Sequence, residues 1–144
     1  MATTTPALRA ANAFAAALEE SGASAIPVRV ALVPRVCEAQ GELDAAVYVV
    51  PTSQRSERFS RGAWQRDVTI AVILLAPAAS EEAAQELLDD FQKLLDAVMD
   101  VGCSSGVKFV SASQEELFDA SLLADQATLR SQADISCILL DKIS

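Results

Sequence analysis

The residues best suited to chemistry in this chain of 144 are cationic and aromatic. Arg55, Arg58, Arg61 and Arg66 fall within QRSERFSRGAWQRD beside Phe59 and Trp64, and they are half of the arginines in the chain. Arginine with aromatic rings is the composition of interface anchors, where a planar fork and a flat ring fill desolvated pockets. The same set suits single-stranded nucleic acid, whose bases stack on rings and whose phosphates meet arginine. A third reading is a solvated loop with Trp64 folded back on the core. The net charge of −9 favours the protein interface, because an acidic chain offers arginine its partners on its own subunits. Broad binding to a polyanion needs a clustered basic surface that the summed charge does not supply.

Other chemistry is thinly provided. The chain has no histidine, so the commonest metal ligand and general base is missing, and with it most zinc-hydrolase and triad mechanisms. No G-x-S-x-G elbow, P-loop or G-x-G-x-x-G fingerprint occurs. The pairs Glu81/Glu82, Asp89/Asp90 and Glu115/Glu116 offer carboxylates for a metal or an acid–base couple. Adjacent residues on a helix point in different directions, however, and no calcium-loop pattern accompanies them, so they read as a solvated face. No catalytic residue, cofactor-binding residue or metal ligand is assigned. Cys37, Cys103 and Cys137 are odd in number and far apart, which suits reduced thiols packed as small hydrophobes better than a disulfide framework.

The elements that must carry these residues follow from periodicity. Pro6 to Glu20 is alanine-rich, with Leu8, Ala11, Phe14, Ala15 and Leu18 at helical spacing, and Ser21 and Gly22 end it. Val28 to Val33 and Ala45 to Val50 are β-branched runs stopped by Pro34 and Pro51, and read as short strands. The polar stretch from Thr52 to about residue 65 has no period and is expected to be a long arginine-bearing loop. Asp67 to Ala76 is the strongest strand, apolar on both faces after Thr69, which implies a central, covered position. Ser80 then caps a helix from Glu81 to about Asp100, with core stripe Ala84, Leu87, Leu88, Phe91, Leu94, Leu95 and Val98. Its back is acidic: Glu82, Glu86, Asp89, Asp96 and Asp100 with one lysine, Lys93. A short strand from Val107 to Ser111 follows Gly102 and a turn, and Ser113 to Asp125 reads as a loop with a helical turn. Thr128 to Leu140 alternates, with Leu129, Ala133, Ile135, Cys137 and Leu139 on the core face and Arg130, Gln132, Asp134, Ser136 and Ile138 on the other.

This order predicts an α+β fold: a mixed, mostly antiparallel sheet of four to five strands with two main helices on one side. The length suits a single domain over residues 1–144. The N-terminus lacks the pattern of a secretory signal, and the longest apolar run, Val68 to Ala79, is too short to span a bilayer. A protein made and kept in a cytoplasm, without membrane partners, is the expectation.

The helix, the strand ending in proline, the polar arginine-bearing stretch, RDVTIAVILLAP, the acidic helix EEAAQELLDDFQKLLDAVM and the last strand LRSQADISCILL together resemble the tail terminator proteins of long-tailed bacteriophages. The tail-completion, or head–tail joining, proteins are similar too. The resemblance covers nearly the whole chain and rests on order, length and hydrophobic rhythm; Leu129 and Ile135 stand where the family usually has aromatics. It implies a non-enzymatic virion protein that forms a ring, commonly a hexamer, on the tail tube. Such a ring ends tube polymerisation and presents a docking surface to the head and neck. On that reading the partners are further copies of the chain, the tail tube protein and the neck or connector protein, with DNA only as passing cargo. The protein is made in the host bacterial cytoplasm and ends in the tail or neck of the virion. Arg55, Arg58, Phe59, Arg61, Trp64 and Arg66 would meet neighbouring subunits, with acidic groups of the Glu81 to Asp100 helix as partners for the arginines. Gln132 and Asp134 would face the channel. A small ligand-binding regulatory module of ferredoxin-like type is the alternative of another class, and it would need a ligand site at the Ala76 to Ser80 junction.

Overall fold

A computed structural model describes residues 5–21, 27–31, 45–78, 80–104, 106–114, 117–120, 123–124 and 127–142. In chain order the elements are α1 (Pro6–Ser21), β1 (Val28–Val30), β2 (Ala46–Ser60), β3 (Ala63–Pro77), α2 (Glu81–Val101), β4 (Cys103–Ser104), β5 (Val107–Ser113) and β6 (Thr128–Lys142). The strands form one sheet in the order β1-β2-β3-β6-β5-β4. Among the described residues β1 and β2 pair in parallel and every other pair of neighbouring strands is antiparallel. The α+β class and the mixed, mostly antiparallel sheet are as expected. The strand beyond the expected five is β4, only two residues long and hidden within what reads as the turn after Gly102.

Local chemistry sets the helix ends. Thr5 caps α1, its Oγ1 accepting the Leu8 N–H at 3.3 Å, and Pro6 takes the first helical position, where no N–H is needed. Ser80 caps α2 by accepting the Ala83 N–H at 3.1 Å. Glu81 and Glu82 lie in its first turn, where the helix dipole favours negative charge. Gly102 ends α2 in the left-handed region at φ 79°, and its N–H donates to the Val98 carbonyl.

Both helices pack on one face of the sheet. Phe14 and Leu18 of α1 and Phe91, Leu94, Leu95 and Val98 of α2 share one core with Val47, Val49, Val68, Ile70, Val72, Leu74, Ile135 and Cys137. The stripe expected for α2 is the one that is buried, with Leu87 and Leu88 partly so, and its acidic back is exposed. Helix α1 is buried over more than a stripe: Ala10, Ala11, Ala13, Ala15 and Ala17 are all inside, while Leu8 is half-buried. Alanine has no bulk to hold a neighbour away, so several sides of the helix can approach others closely. A second apolar cluster, Ala46, Tyr48, Val50, Ala71, Ile73 and Leu75, lies on the opposite face of β2 and β3, which accounts for the two-sided hydrophobicity of β3.

The long loop expected from Thr52 to about residue 65 is instead strand. Strand β2 runs on to Ser60 and β3 begins at Ala63, leaving Arg61 and Gly62 as the turn of a hairpin. The physical reason is pairing: this part of the hairpin has no core on either face, so its side chains need not alternate. A directly opposite charge pair, Arg55 and Asp67, falls in the ladder between the two strands. The expected strand Val28 to Val33 is strand over Val28–Val30, with residues 32–33 outside the described set. Cys37, Pro34, Glu115 and Glu116 lie outside it too. Leu123 donates its N–H to the Asp119 carbonyl at 3.2 Å, the helical turn expected before β6.

Candidate functional site

Antiparallel pairing assigns each hairpin side chain to a face. The register couples Gln54 with Val68, Ser56 with Arg66 and Arg58 with Trp64, and continues from Trp64 to Asp141 and from Arg66 to Leu139. Val68 belongs to the helix-side core, so Arg58, Trp64 and Arg66 lie on the helix side of the sheet by alternation. Arg55 lies on the opposite side, paired across the ladder with Asp67, and Arg61 sits in the turn. The structure therefore divides the predicted cluster between two faces and a tip. Phe59 is on strand β2, one step from Arg58.

The helix-side group is the more organised. The Arg66 guanidinium carbon stands 5.2 Å from the centre of the Trp64 ring, within cation–π range, with Arg58 directly across the ladder. Stacked arginine loses less freedom on meeting a partner, because its fork is already oriented. On the other face Arg55 forms an ion pair with Glu57, both largely exposed, and the Gln65 amide donates to Asp67 at 3.1 Å. An exposed pair of this kind adds little to folding. Residues 52–58 are all exposed, and the Gln54 side chain accepts the Ala7 N–H at 3.1 Å, tying the hairpin base to α1.

Gln132 and Asp134 lie together on the face of β6 opposite α1 and α2. The Arg130 guanidinium donates to Gln132 Oε1 at 3.0 Å, and the Gln132 amide donates to Asp134 Oδ1 at 3.1 Å. All three are half-buried, in the same rows as Leu75, Ile73 and Ala71. Sequence reasoning missed one buried polar residue here. Ser131 is fully buried, donates to the Leu117 carbonyl at 2.6 Å and accepts from the Gln114 amide at 3.2 Å, which pins the segment before β6 to the sheet. Its only sequence signal is a serine in the core row of an alternating strand.

Two depressions accompany these residues. A groove of about 450 Å³ crosses the face opposite α1 and α2 at Ser53, Arg55, Asp67, Thr69, Val110 and Ile138. A second, of about 660 Å³, lies at the β3–α2 junction between Ala78, Glu81, Ala84, Leu88, Phe118 and Leu123. Ser80 also lines it, but its hydroxyl is already engaged as the cap of α2. Among the described residues no cluster of three or more metal-ligating side chains occurs, and no helix is long and apolar enough to cross a membrane.

The thiols differ sharply. Cys137 is buried in β6, and desolvation pushes its pKa from 9.0 up to about 12. Cys103 is exposed, contrary to the expectation of burial, because β4 lies at the sheet edge just beyond the α2 cap. Below about pH 9 both folded and unfolded chains hold the Cys137 proton; between 9 and 12 only the folded chain does, so stability falls as pH rises through that window. With Cys37 replaced by serine, a thiol reagent at about pH 8 is expected to label Cys103 in the native protein and Cys137 only on unfolding. Equal labelling rates would contradict this packing.

No known family model matches the chain, and no curated protein matches it. Among solved structures, it is similar to a chain of the "Virion of native gene transfer agent (GTA) particle" at a TM-score of 0.52 and 16% identity, over 92% of this chain and 98% of that chain. Identity this low carries the arrangement of helices and strands across both chains and leaves the role of each side chain to be argued from its own surroundings.

Proposed function

We propose that this protein is a non-enzymatic structural component of a virion, and within it a tail terminator: a ring on the end of the tail tube that stops polymerisation and receives the head or neck. The observation that carries the reading is the end-to-end fold likeness to a chain of a gene transfer agent virion. The hairpin supports it, holding Arg58, Arg61, Trp64 and Arg66 at the end of a rigid ladder while the exposed back of α2 carries the opposite charge. Arginines of one subunit meet the α2 carboxylates of the next, and such pairs set register and partner choice more than raw affinity. A ring of six copies, the tail tube protein and the neck or connector protein are the partners, with DNA only passing through. The polar row containing Gln132 and Asp134 faces the channel, where, with Arg130 and Asp134 balancing, it offers passing DNA no net positive charge to adhere to.

A neck or tail-completion adaptor is the second reading, supported by the same likeness, since such adaptors are also small ring-forming proteins. A ligand-binding module gains one observation, the groove at the β3–α2 junction. Among the described residues that groove is lined mostly by alanine, leucine and phenylalanine, with Ser80, Glu81 and Gln85 as its polar side chains. The deciding experiment measures mass by light scattering at low and high salt, with and without polymerising tail-tube protein. A discrete ring, or a monomer that assembles on tube ends and leaves tubes short, is expected. A monomer or dimer indifferent to tubes would refute the ring.

A further inference from the structure

We propose that the outer edge of β2 over Gln54–Arg58 is where a second copy of the chain adds its β5 edge, Val110–Ser113, antiparallel, so that the subunit sheets join around the ring. The inference rests on the ring reading and specifies its joint. Strand β1 covers β2 only opposite Val47 to Val49, and beyond that the outer side of β2 has no strand beside it among the described residues. The Val47 N–H and the Val49 carbonyl point outward, bonded to the Pro27 carbonyl and the Ala31 N–H. The same alternation through the pairs Gln54–Val68, Ser56–Arg66 and Arg58–Trp64 turns the backbone groups of Gln54, Ser56 and Arg58 outward as well. An uncovered edge of this length is a template for another strand.

The opposite edge of the sheet is open in a complementary place. Strand β4 covers β5 only at Val107 and Lys108, and the Phe109 N–H is taken by the Gly102 carbonyl. The edge beyond, Val110–Ser113, is uncovered among the described residues, and Val110 is half exposed there. One edge is thus capped near its base by β1 and the other near the hairpin end by β4, which makes a lap joint between successive copies. Strands β2 and β5 run in opposite directions within one subunit. Rotation about a ring axis preserves direction along that axis, so β2 of one copy meets β5 of the next antiparallel, in a heterologous contact that repeats until the ring closes. The open stretches are staggered along the strands, so the strands tilt to the axis, as in closed barrels.

Charge identifies the occupant as a second copy. Helix α1 packs mainly on β2, β3 and β1 and reaches across to β4, β5 and β6, while α2 packs on β5 and β4 alone among the strands with which it makes more than marginal contact. A continuous sheet with all helices on one face sets Arg58, Trp64 and Arg66 beside the neighbour's α2, whose exposed residues include Glu82, Glu86, Asp89 and Asp96. Pairing two β2 edges with each other would instead bring two arginine-rich hairpins together.

The test uses Ser56→Pro and hydrogen exchange on the full-length chain with tail-tube protein. The Ser56 N–H points away from β3, so proline there removes an outward donor and leaves the β2–β3 ladder whole. The concentration for ring formation is expected to rise at least about tenfold, with circular dichroism unchanged. In the wild-type protein, amides of both Gln54–Arg58 and Val110–Ser113 are expected to exchange more slowly on assembly, a readout that stands even if Ser56→Pro does not fold. A ring that forms equally well with Ser56→Pro, or protection confined to other segments, overturns the edge joint and leaves the ring reading intact. Protection of the β2 edge without the β5 edge overturns the partner strand. A chain that forms no ring even on tube ends overturns both.

Discussion

Replacing Phe14 with alanine is expected to lower the unfolding free energy by about 3–5 kcal/mol, the range for emptying a fully buried aromatic site. Phe14 is 0% exposed, and its ring meets Phe109 edge to face at 5.0 Å with 75° between the planes. Much of the rest of the buried surface of α1 is alanine, whose short side chains cannot swing into the vacated volume. The cavity therefore persists, and its cost adds to the lost burial. A urea titration checks this through a fall in midpoint at constant slope. Adding Phe109→Ala isolates the ring contact, for which about 0.5–1.5 kcal/mol of coupling is expected. A loss below about 1 kcal/mol for Phe14→Ala would mean that α1 does not seat where the structure puts it.

The other large effect concerns assembly. Arg58→Glu with Arg61→Glu reverses two exposed cations of the hairpin, and exposed substitutions of this kind change folding stability by about 0.5 kcal/mol or less. At an interface opposite acidic residues each reversal turns an attraction into a repulsion. The concentration at which rings form is expected to rise by about tenfold per residue. Raising salt is expected to weaken wild-type assembly while slightly relieving the variant, because screening acts on attraction and repulsion alike. Light scattering on both proteins at two salt concentrations measures this. Unchanged ring assembly and tube capping by the double variant would defeat the role given to the hairpin.

Helix α2 was fully legible in the sequence because several independent signals agree there. Its cap Ser80, its acidic first turn, its apolar stripe and the terminating Gly102 all stand where spacing puts them. Strand β6 was legible for the same reason, since one face is core and the other is not. The hairpin was not, because β2 beyond Pro51 leaves the core on both faces, and a strand wet on both sides carries no alternation to read. What holds it is the register with β3, a long-range property visible in sequence only as Arg55 opposite Asp67 and the short Arg61–Gly62 turn. The candidate site shows the same division. The arginine and aromatic composition was evident along the chain, but the split between faces depends on the register and on the irregularity between Pro51 and Ser53. The two-residue β4 has too few side chains to show any pattern.

The sheet order also sets the sequence of folding events. Strands β2 and β3 close on each other across Arg61 and Gly62, a local step, whereas β3 meets β6 only when Pro77 finds Thr128 across the whole of α2, β4 and β5. Contacts separated so widely along the chain form late, because loop closure must be met before pairing rewards it. Until then the β6-facing edge of β3, with its run VTIAVILLA, stands open in a hairpin that has already formed. Such a run, rich in β-branched residues and without charge, is the material of intermolecular strand stacking. Strand β6 is synthesised after every other strand of this sheet. A nascent chain therefore carries its stickiest edge uncovered from the completion of β3 until β6 is made, and a lower temperature, which weakens hydrophobic association between such edges, should raise the soluble yield.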